Sequence, residues 1–171
     1  VQDFLDVSRI EQGRMKYDFS VFDIGKLVAD VAEELAQNIA KKGLELRREI
    51  ETGILVHADL GKLKQVIENL VDNAQKYTPK GGMVTVGVRR LGNGKVELSL
   101  KDTGVGISQE TIAKLFQKFS RAEDASKANI LGTGLGLYVA KQLITAQGGT
   151  IRAESEGAGK GSLFIVELPI K

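Results

Sequence analysis

Three polar side chains in one stretch could act together. Asn69 and Asn73 are four residues apart and Lys76 lies three further on, a spacing that stacks them along one side of a helix. A carboxamide offers its oxygen to a hard cation and its amide to a phosphate oxygen, without net charge to repel either. A lysine one turn later adds a point charge suited to phosphate. Alone, such a pair is also the ordinary flank of a solvated helix. Two glycine runs follow. Asp102-Thr103-Gly104-Val105-Gly106-Ile107 leaves the alternating run Val96 to Leu100, so it starts at a strand end. Gly132-Thr133-Gly134-Leu135-Gly136-Leu137 opens the amphipathic segment Leu135 to Gln147. It therefore sits at a helix N-terminus, where free amides and the helix dipole favour an anion. Either run alone could be a tight turn.

The elements that must position these groups are legible from periodicity. Leu63, Val66, Ile67, Leu70, Val71 and Ala74 recur at spacings of three and four, which predicts a helix from Leu60 to Lys76, capped by Asp59, with one buried face. Asp23 caps a second helix, whose buried face is Ile24, Leu27, Val28, Val31 and Leu35 and which Gly43 ends. Val1 to Met15 reads as a helix with Gly13 as its stop. Strands are expected at Tyr17 to Phe22, Leu44 to Ile50, Ile54 to His57, Met83 to Arg89, Lys95 to Lys101, Thr150 to Glu154 and Ser162 to Pro169. Asn93-Gly94 marks a hairpin turn. Ile112 to Phe119 reads as a short helix, and the aperiodic stretch Ser120 to Asn129 as a mobile loop. Helices and strands mixed in this order predict an α/β two-layer sandwich, its helices on one face of a mixed, mostly antiparallel sheet.

Composition excludes several functions. The 171 residues carry 24 Lys and Arg against 22 Asp and Glu, a formal net charge of +2. No basic run is interleaved with aromatics, so no nucleic-acid partner is expected. Cysteine is absent, which excludes disulfides and thiolate zinc sites and fits a reducing compartment. The longest apolar run, Leu163 to Val166, is far too short to cross a bilayer. No signal-peptide pattern opens the chain, and because it begins with Val1 we expect a piece of a longer protein.

The motifs, in their order, resemble the catalytic ATP-binding domain of sensor histidine kinases, in the superfamily that also holds gyrase, a heat-shock chaperone and mismatch-repair ATPases. Gln65 to Pro79 resembles the N box, Asp102 to Ile107 the first glycine box, Leu115-Phe116-Gln117-Lys118-Phe119-Ser120-Arg121 the F box, and Gly132 to Leu137 the second glycine box. Leu5 to Gly13 is similar to the end of a dimerisation and phosphoacceptor helix. The resemblance implies a Bergerat-type ATP-binding fold over residues 16–171, with residues 1–15 as a stub of the dimerisation domain. It implies ATP and Mg²⁺ as cofactors, with Asn73 and Asn69 holding the metal. Lys76, Arg121 and the amides around Gly132, Thr133, Gly134, Leu135 and Gly136 would meet phosphate oxygens, while Asp102 takes the adenine amine. Tyr77, Gly104, Gly106 and Ile107 would line the same site. The γ-phosphoryl would pass to a histidine on a phosphoacceptor domain and then to a response regulator. The fragment would be monomeric and cytoplasmic without touching a membrane, and its parent a homodimer, membrane-anchored or not. The alternatives are an ATPase or serine kinase of the same superfamily, or a non-catalytic nucleotide sensor.

Other residues carry two readings. Glu68, beside Asn69, could be a base, but on the helical wheel it points away from both asparagines. Tyr77 either packs over the nucleotide or staples the helix end. Phe116 and Phe119 read as core anchors holding the hinge of the loop, Arg121 as a phosphate ligand or an exposed arginine, and Lys127 as a weaker candidate. Gly157-Ala158-Gly159-Lys160-Gly161-Ser162 has P-loop composition, yet Glu154 stands where the first glycine belongs and a strand follows. The second glycine box is no dinucleotide fingerprint, since Leu137 replaces its third glycine. The one histidine, His57, lies in a short strand and reads as structural. The chain thus lacks a phosphoacceptor and should not phosphorylate itself.

Overall fold

The computed structural model describes residues 2–120 and 134–171. The chain runs α1 (Gln2–Glu11), β1 (Ser20–Asp23), α2 (Ile24–Lys41), β2 (Glu45–Ile50), β3 (Leu55–Ala58), α3 (Leu60–Tyr77), β4 (Met83–Arg90), β5 (Lys95–Asp102), α4 (Gln109–Ile112), α5 (Gly136–Ala146), β6 (Thr150–Glu154) and β7 (Ser162–Pro169). One five-stranded sheet has the order β2-β4-β5-β7-β6, and β1 and β3 form a separate antiparallel ribbon. Among the described strands of the large sheet, only the β2–β4 pair is parallel. Val84, Val86, Val88, Val96, Leu98, Leu100, Phe164, Val166 and Leu168 alternate along the strands and are buried in one core with α2, α3 and α5. The opposite face is mostly polar, with Leu163 and Ile165 the apolar exceptions on β7. There Glu97 and Glu167 stand in register across β5 and β7, and Arg89 (2.9 Å to Glu97) and Arg152 (2.7 Å to Glu167) offset their repulsion. The architecture is the expected two-layer α/β sandwich.

The apolar face of α3 is the one its spacing predicts: Leu63, Val66, Ile67, Leu70, Val71 and Ala74 are all buried. Each of the larger side chains contributes roughly 1.5–3 kcal/mol relative to an exposed position. Asp59 caps the helix by accepting from the Lys62 amide at 3.0 Å. Its other carboxylate oxygen accepts from the Asp18 amide at 2.8 Å. That bond holds the chain before β1 in place, so β1 begins at Ser20 and not at Tyr17. On α1, Asp6 is 1% exposed and receives hydrogen bonds from Gln65 of α3 at 2.6 Å and from Gln2 at 3.0 Å.

The region of the expected helix Ile112 to Phe119 is different. Ser108 caps a helix that starts at Gln109, accepting from the Thr111 amide at 3.1 Å. The chain then proceeds in turns to Phe119, a non-glycine residue at φ 61°. Phe119 is 62% exposed, with its ring 6.5 Å from that of Phe4, so it is not a core anchor. Phe116 is one, half-buried and edge-on to Phe164 at 6.4 Å. The apolar spacing of this stretch misleads because a local side-chain cap and a left-handed residue override it. Segment 121–133, which carries Arg121, Lys127, Gly132, Thr133 and most of the expected loop, lies outside the described residues.

Candidate functional site

The polar stripe of α3 lies against the start of α5. The Asn69 amide Nδ2 donates to the Gly136 carbonyl at 3.1 Å. With its nitrogen committed, Asn69 presents its oxygen as the atom for a cation. Asn73, one turn on, is half-buried, and its side chain makes no hydrogen bond within the described residues. Lys76 is exposed and pairs with Asp72 at 3.0 Å, an exposed contact weak enough to yield to a phosphate. Glu68 is exposed, on another side of the helix. α5 starts after Leu135, and among the described residues no side chain caps it; the first-turn amides of such a helix suit an anion. Gly134 takes φ 72°, and a Cβ there would lie 2.7 Å from the Phe119 backbone, so only glycine fits.

The second part of the site is built where β5 ends. Asp102 stands in register between Val84 of β4 and Ser162 of β7 and is 3% exposed. The Gly104 amide donates to its Oδ1 at 2.8 Å and the Ser162 hydroxyl to its Oδ2 at 2.6 Å. Burial pushes the carboxyl above the ordinary aspartate value, and the bonds from Ser162 and Gly104 pull against that rise. A carboxylate can accept up to about four hydrogen bonds, so the bonds from Gly104 and Ser162 leave it capacity for an amine of a ligand. Tyr77, the last residue of α3, is half-buried, and its carbonyl accepts from the Val105 amide at 3.0 Å. This joins the asparagine helix to the first glycine box.

The two glycines of that box are each required by a close backbone approach. A Cβ at Gly104 would collide with the Tyr77 carbonyl, and one at Gly106 (φ 76°) with the Gly157 carbonyl. At both positions backbone meets backbone, an approach that only glycine allows. Ile107 is buried and its amide donates to the Ser155 hydroxyl at 3.0 Å. Sequence reading missed Ser162 and Ser155. The available signal was the glycine run 157–161, whose failure as a P-loop left it without another role.

Among the described residues no group of three or more His, Cys, Asp or Glu could hold a metal by itself. A cation at this site would rest on carboxamide oxygens and on ligands that it brings, as Mg²⁺ does with phosphates. The committed Asn69 nitrogen and the adjoining helix N-terminus fit that. A groove of about 310 Å³ lined by Phe22, Leu27, Val31 and Leu60 lies elsewhere and gathers none of these residues.

Residues 58–171 match the family model described as histidine kinase-, DNA gyrase B- and HSP90-like ATPase. The chain belongs to this ATPase family. Among its relatives, histidine protein kinase DivJ of Caulobacter vibrioides is 37% identical over 171 residues, covering 99% of this chain and 28% of DivJ. The signal transduction histidine-protein kinase BarA of Escherichia coli is 36% identical over 169 residues, covering 96% of this chain and 18% of BarA. Across such relatives the chain spans 9–28% of their length. Among solved structures, full-length ShkA in complex with AMPPNP superimposes with a TM-score of 0.83 at 30% identity, over 99% of this chain and 35% of that one. The catalytic domain of histidine kinase ThkA gives 0.75 at 28% identity, over 89% of this chain and 95% of that one. Within the ATPase family, the chain therefore corresponds to the catalytic ATP-binding domain of histidine kinases, with its Bergerat-type fold. In this ATPase domain the asparagine stripe meets the start of α5, Asp102 stands at the end of β5, and the Tyr77 carbonyl joins α3 to the first glycine box.

Proposed function

We propose that this domain binds Mg²⁺-ATP and moves its γ-phosphoryl to a histidine on a dimerisation domain, from which a response regulator accepts it. The Asn69–Gly136 hydrogen bond carries the reading, because it aligns the carboxamide stripe with a helix N-terminus suited to phosphate. The neighbour ShkA was solved with AMPPNP, and ThkA in complex with response regulator TrrA; both support it. Asn69 and Asn73 would hold the metal, which offsets phosphate charge. Lys76 and Arg121, with the amides of Gly132, Thr133, Gly134, Leu135 and Gly136, bind phosphate oxygens and hold them in line for transfer. Asp102 accepts from the adenine amine, with Tyr77, Gly104, Gly106 and Ile107 shaping that end. Residues 1–15 are the end of the dimerisation helix and 16–171 the catalytic domain. The domain acts in the cytoplasm of a parent that is a homodimer. A rival ATPase or nucleotide sensor would bind ATP but leave a supplied phosphoacceptor domain unlabelled.

Two variants test the division of labour. Asn73→Ala should bind adenosine and metal-free ADP nearly as the parent does, yet lose most of the affinity gained on adding Mg²⁺ and all transfer to a supplied acceptor. Asp102→Ala should weaken every adenine nucleotide, with or without metal, by roughly 1.5–3 kcal/mol, about ten- to a hundredfold. Calorimetric titration of ADP with Mg²⁺ and with a chelator reads both. If Asn73→Ala keeps the full Mg²⁺ enhancement, α3 does not hold the metal. The parent chain itself should remain unlabelled by radioactive ATP, since its one histidine, His57, stacks on Phe19 at 5.4 Å in the β1–β3 ribbon.

A further inference from the structure

The glycine run between β6 and β7 has no part in the nucleotide site as assigned so far, yet it is fastened along the first glycine box. The Gly159 amide donates to the Val105 carbonyl at 2.7 Å and the Gly161 amide to the Gly104 carbonyl at 3.1 Å. A Cβ at Gly106 would strike the Gly157 carbonyl, and one at Gly161 (φ 73°) the Asp102 carbonyl. The two loops lie backbone on backbone, with glycine on both sides of the contact.

One side chain closes this assembly. The Ser155 hydroxyl accepts from the Ile107 amide at 3.0 Å and from the Gly157 amide at 3.2 Å, and donates to the Gly161 carbonyl at 2.7 Å. A hydroxyl has one donor and two acceptor sites, and all three are used. Its own carbonyl accepts from the Gln109 side chain at 3.2 Å, which adds the start of α4. Ser155 thus bonds to both ends of the glycine run and to the last residue of the Asp-x-Gly-x-Gly-Ile box. The run 157–161 has no large apolar side chain of its own, so hydrogen bonds hold it to the first glycine box.

Resting on the adenine-site reading above, we propose that Ser155 is a positioning residue. It holds the 104–107 backbone, and through it the base end of the nucleotide site, in binding-competent geometry before the ligand arrives. Without the hydroxyl, two amides and a carbonyl lose a partner, and the loop must be ordered at the expense of ligand affinity. The phosphate end, built by α3 and α5, makes none of these bonds and is unaffected.

The test is titration of adenosine, ADP and Mg²⁺-ADP into the parent chain, Ser155→Ala and Ser155→Thr. Val31→Ala, a core substitution in α2 remote from the loop, controls for lowered stability. Ser155→Ala should weaken adenosine and ADP by the same factor, about five- to thirtyfold, equivalent to roughly 1–2 kcal/mol. Its ratio of Mg²⁺-ADP to ADP affinity should match the parent's. Ser155→Thr, which keeps the hydroxyl, should restore most of the affinity, and Val31→Ala should lower the melting temperature with adenosine affinity unchanged. Amide exchange in nucleotide-free protein should speed up at Ile107 and Gly157 in Ser155→Ala. Adenosine affinity equal to the parent's in Ser155→Ala, or equal loss in Val31→Ala, overturns the positioning role alone. A parent that binds no adenine compound overturns the nucleotide reading, and the positioning role with it.

Discussion

Asp102 is a carboxylate kept where burial opposes its charge. An acid whose folded pKa lies above its ordinary 3.8 binds its proton more tightly folded than unfolded. Its effect on stability is therefore most favourable below that value and declines as pH rises through the raised pKa. Asp102→Asn removes the decline. Its oxygen can accept from the Gly104 amide and its nitrogen donate to the Ser162 hydroxyl, so the buried group stays bonded. The variant should melt higher than the parent at pH 7, with the difference shrinking toward pH 4, while adenine affinity falls about tenfold or more. A lower melting temperature at pH 7 would show that the charge stabilises the empty site. Ser162→Ala removes one of the bonds pulling the carboxyl down, so its pKa should rise further. ADP titrations between pH 4 and 7 should then lose affinity at a higher pH than the parent's.

At the scale of elements, α3 was legible almost to the residue, because a period of three to four is a local property that needs no knowledge of partners. Its cap was equally plain, but the second duty of Asp59 was not. One oxygen serves Lys62 within the helix, and the other serves Asp18, 41 residues away in sequence. Asp59→Ala should accordingly cost about 2 kcal/mol in urea unfolding, above the ~1 kcal/mol of an ordinary cap, since both bonds are lost from a buried site. The helix expected from Ile112 to Phe119 shows the opposite case. Four apolar residues at plausible spacing do not prevail over a serine cap placed upstream and a phenylalanine forced to positive φ beside Gly134.

At the scale of the molecule, α1 is joined to the ATP-binding body by polar as well as apolar contacts. Asp6 meets Gln65, Phe4 lies beside Phe119, and Glu11 pairs with Lys118. Gln65→Ala leaves the buried Asp6 carboxylate short of a donor and should destabilise the chain by about 1–3 kcal/mol. In a chain lacking residues 1–15 the same substitution should cost less than about 0.5 kcal/mol, because the partner is gone. Chemical denaturation of the four proteins measures the coupling, and equal costs in both backgrounds would show that the bond carries no net stability. Light scattering should find the 171-residue chain monomeric, as α1 has only ten residues to offer a helical interface.

By itself the sequence determined the fold class, the helix faces, the asparagine stripe and the two glycine boxes, since each is a matter of period or of neighbouring residues. Only the tertiary structure decided which distant groups meet. Asn69 and Gly136 are 67 residues apart, Asp102 and Ser162 60, and Ile107 and Ser155 48. The strand order β5-β7-β6 and the packing of α5 on α3 bring them together. A single serine in a polar loop has no local signature that separates it from any other. Its three hydrogen bonds exist because antiparallel register places the β6–β7 turn beside the end of β5, and register is a property of the whole sheet.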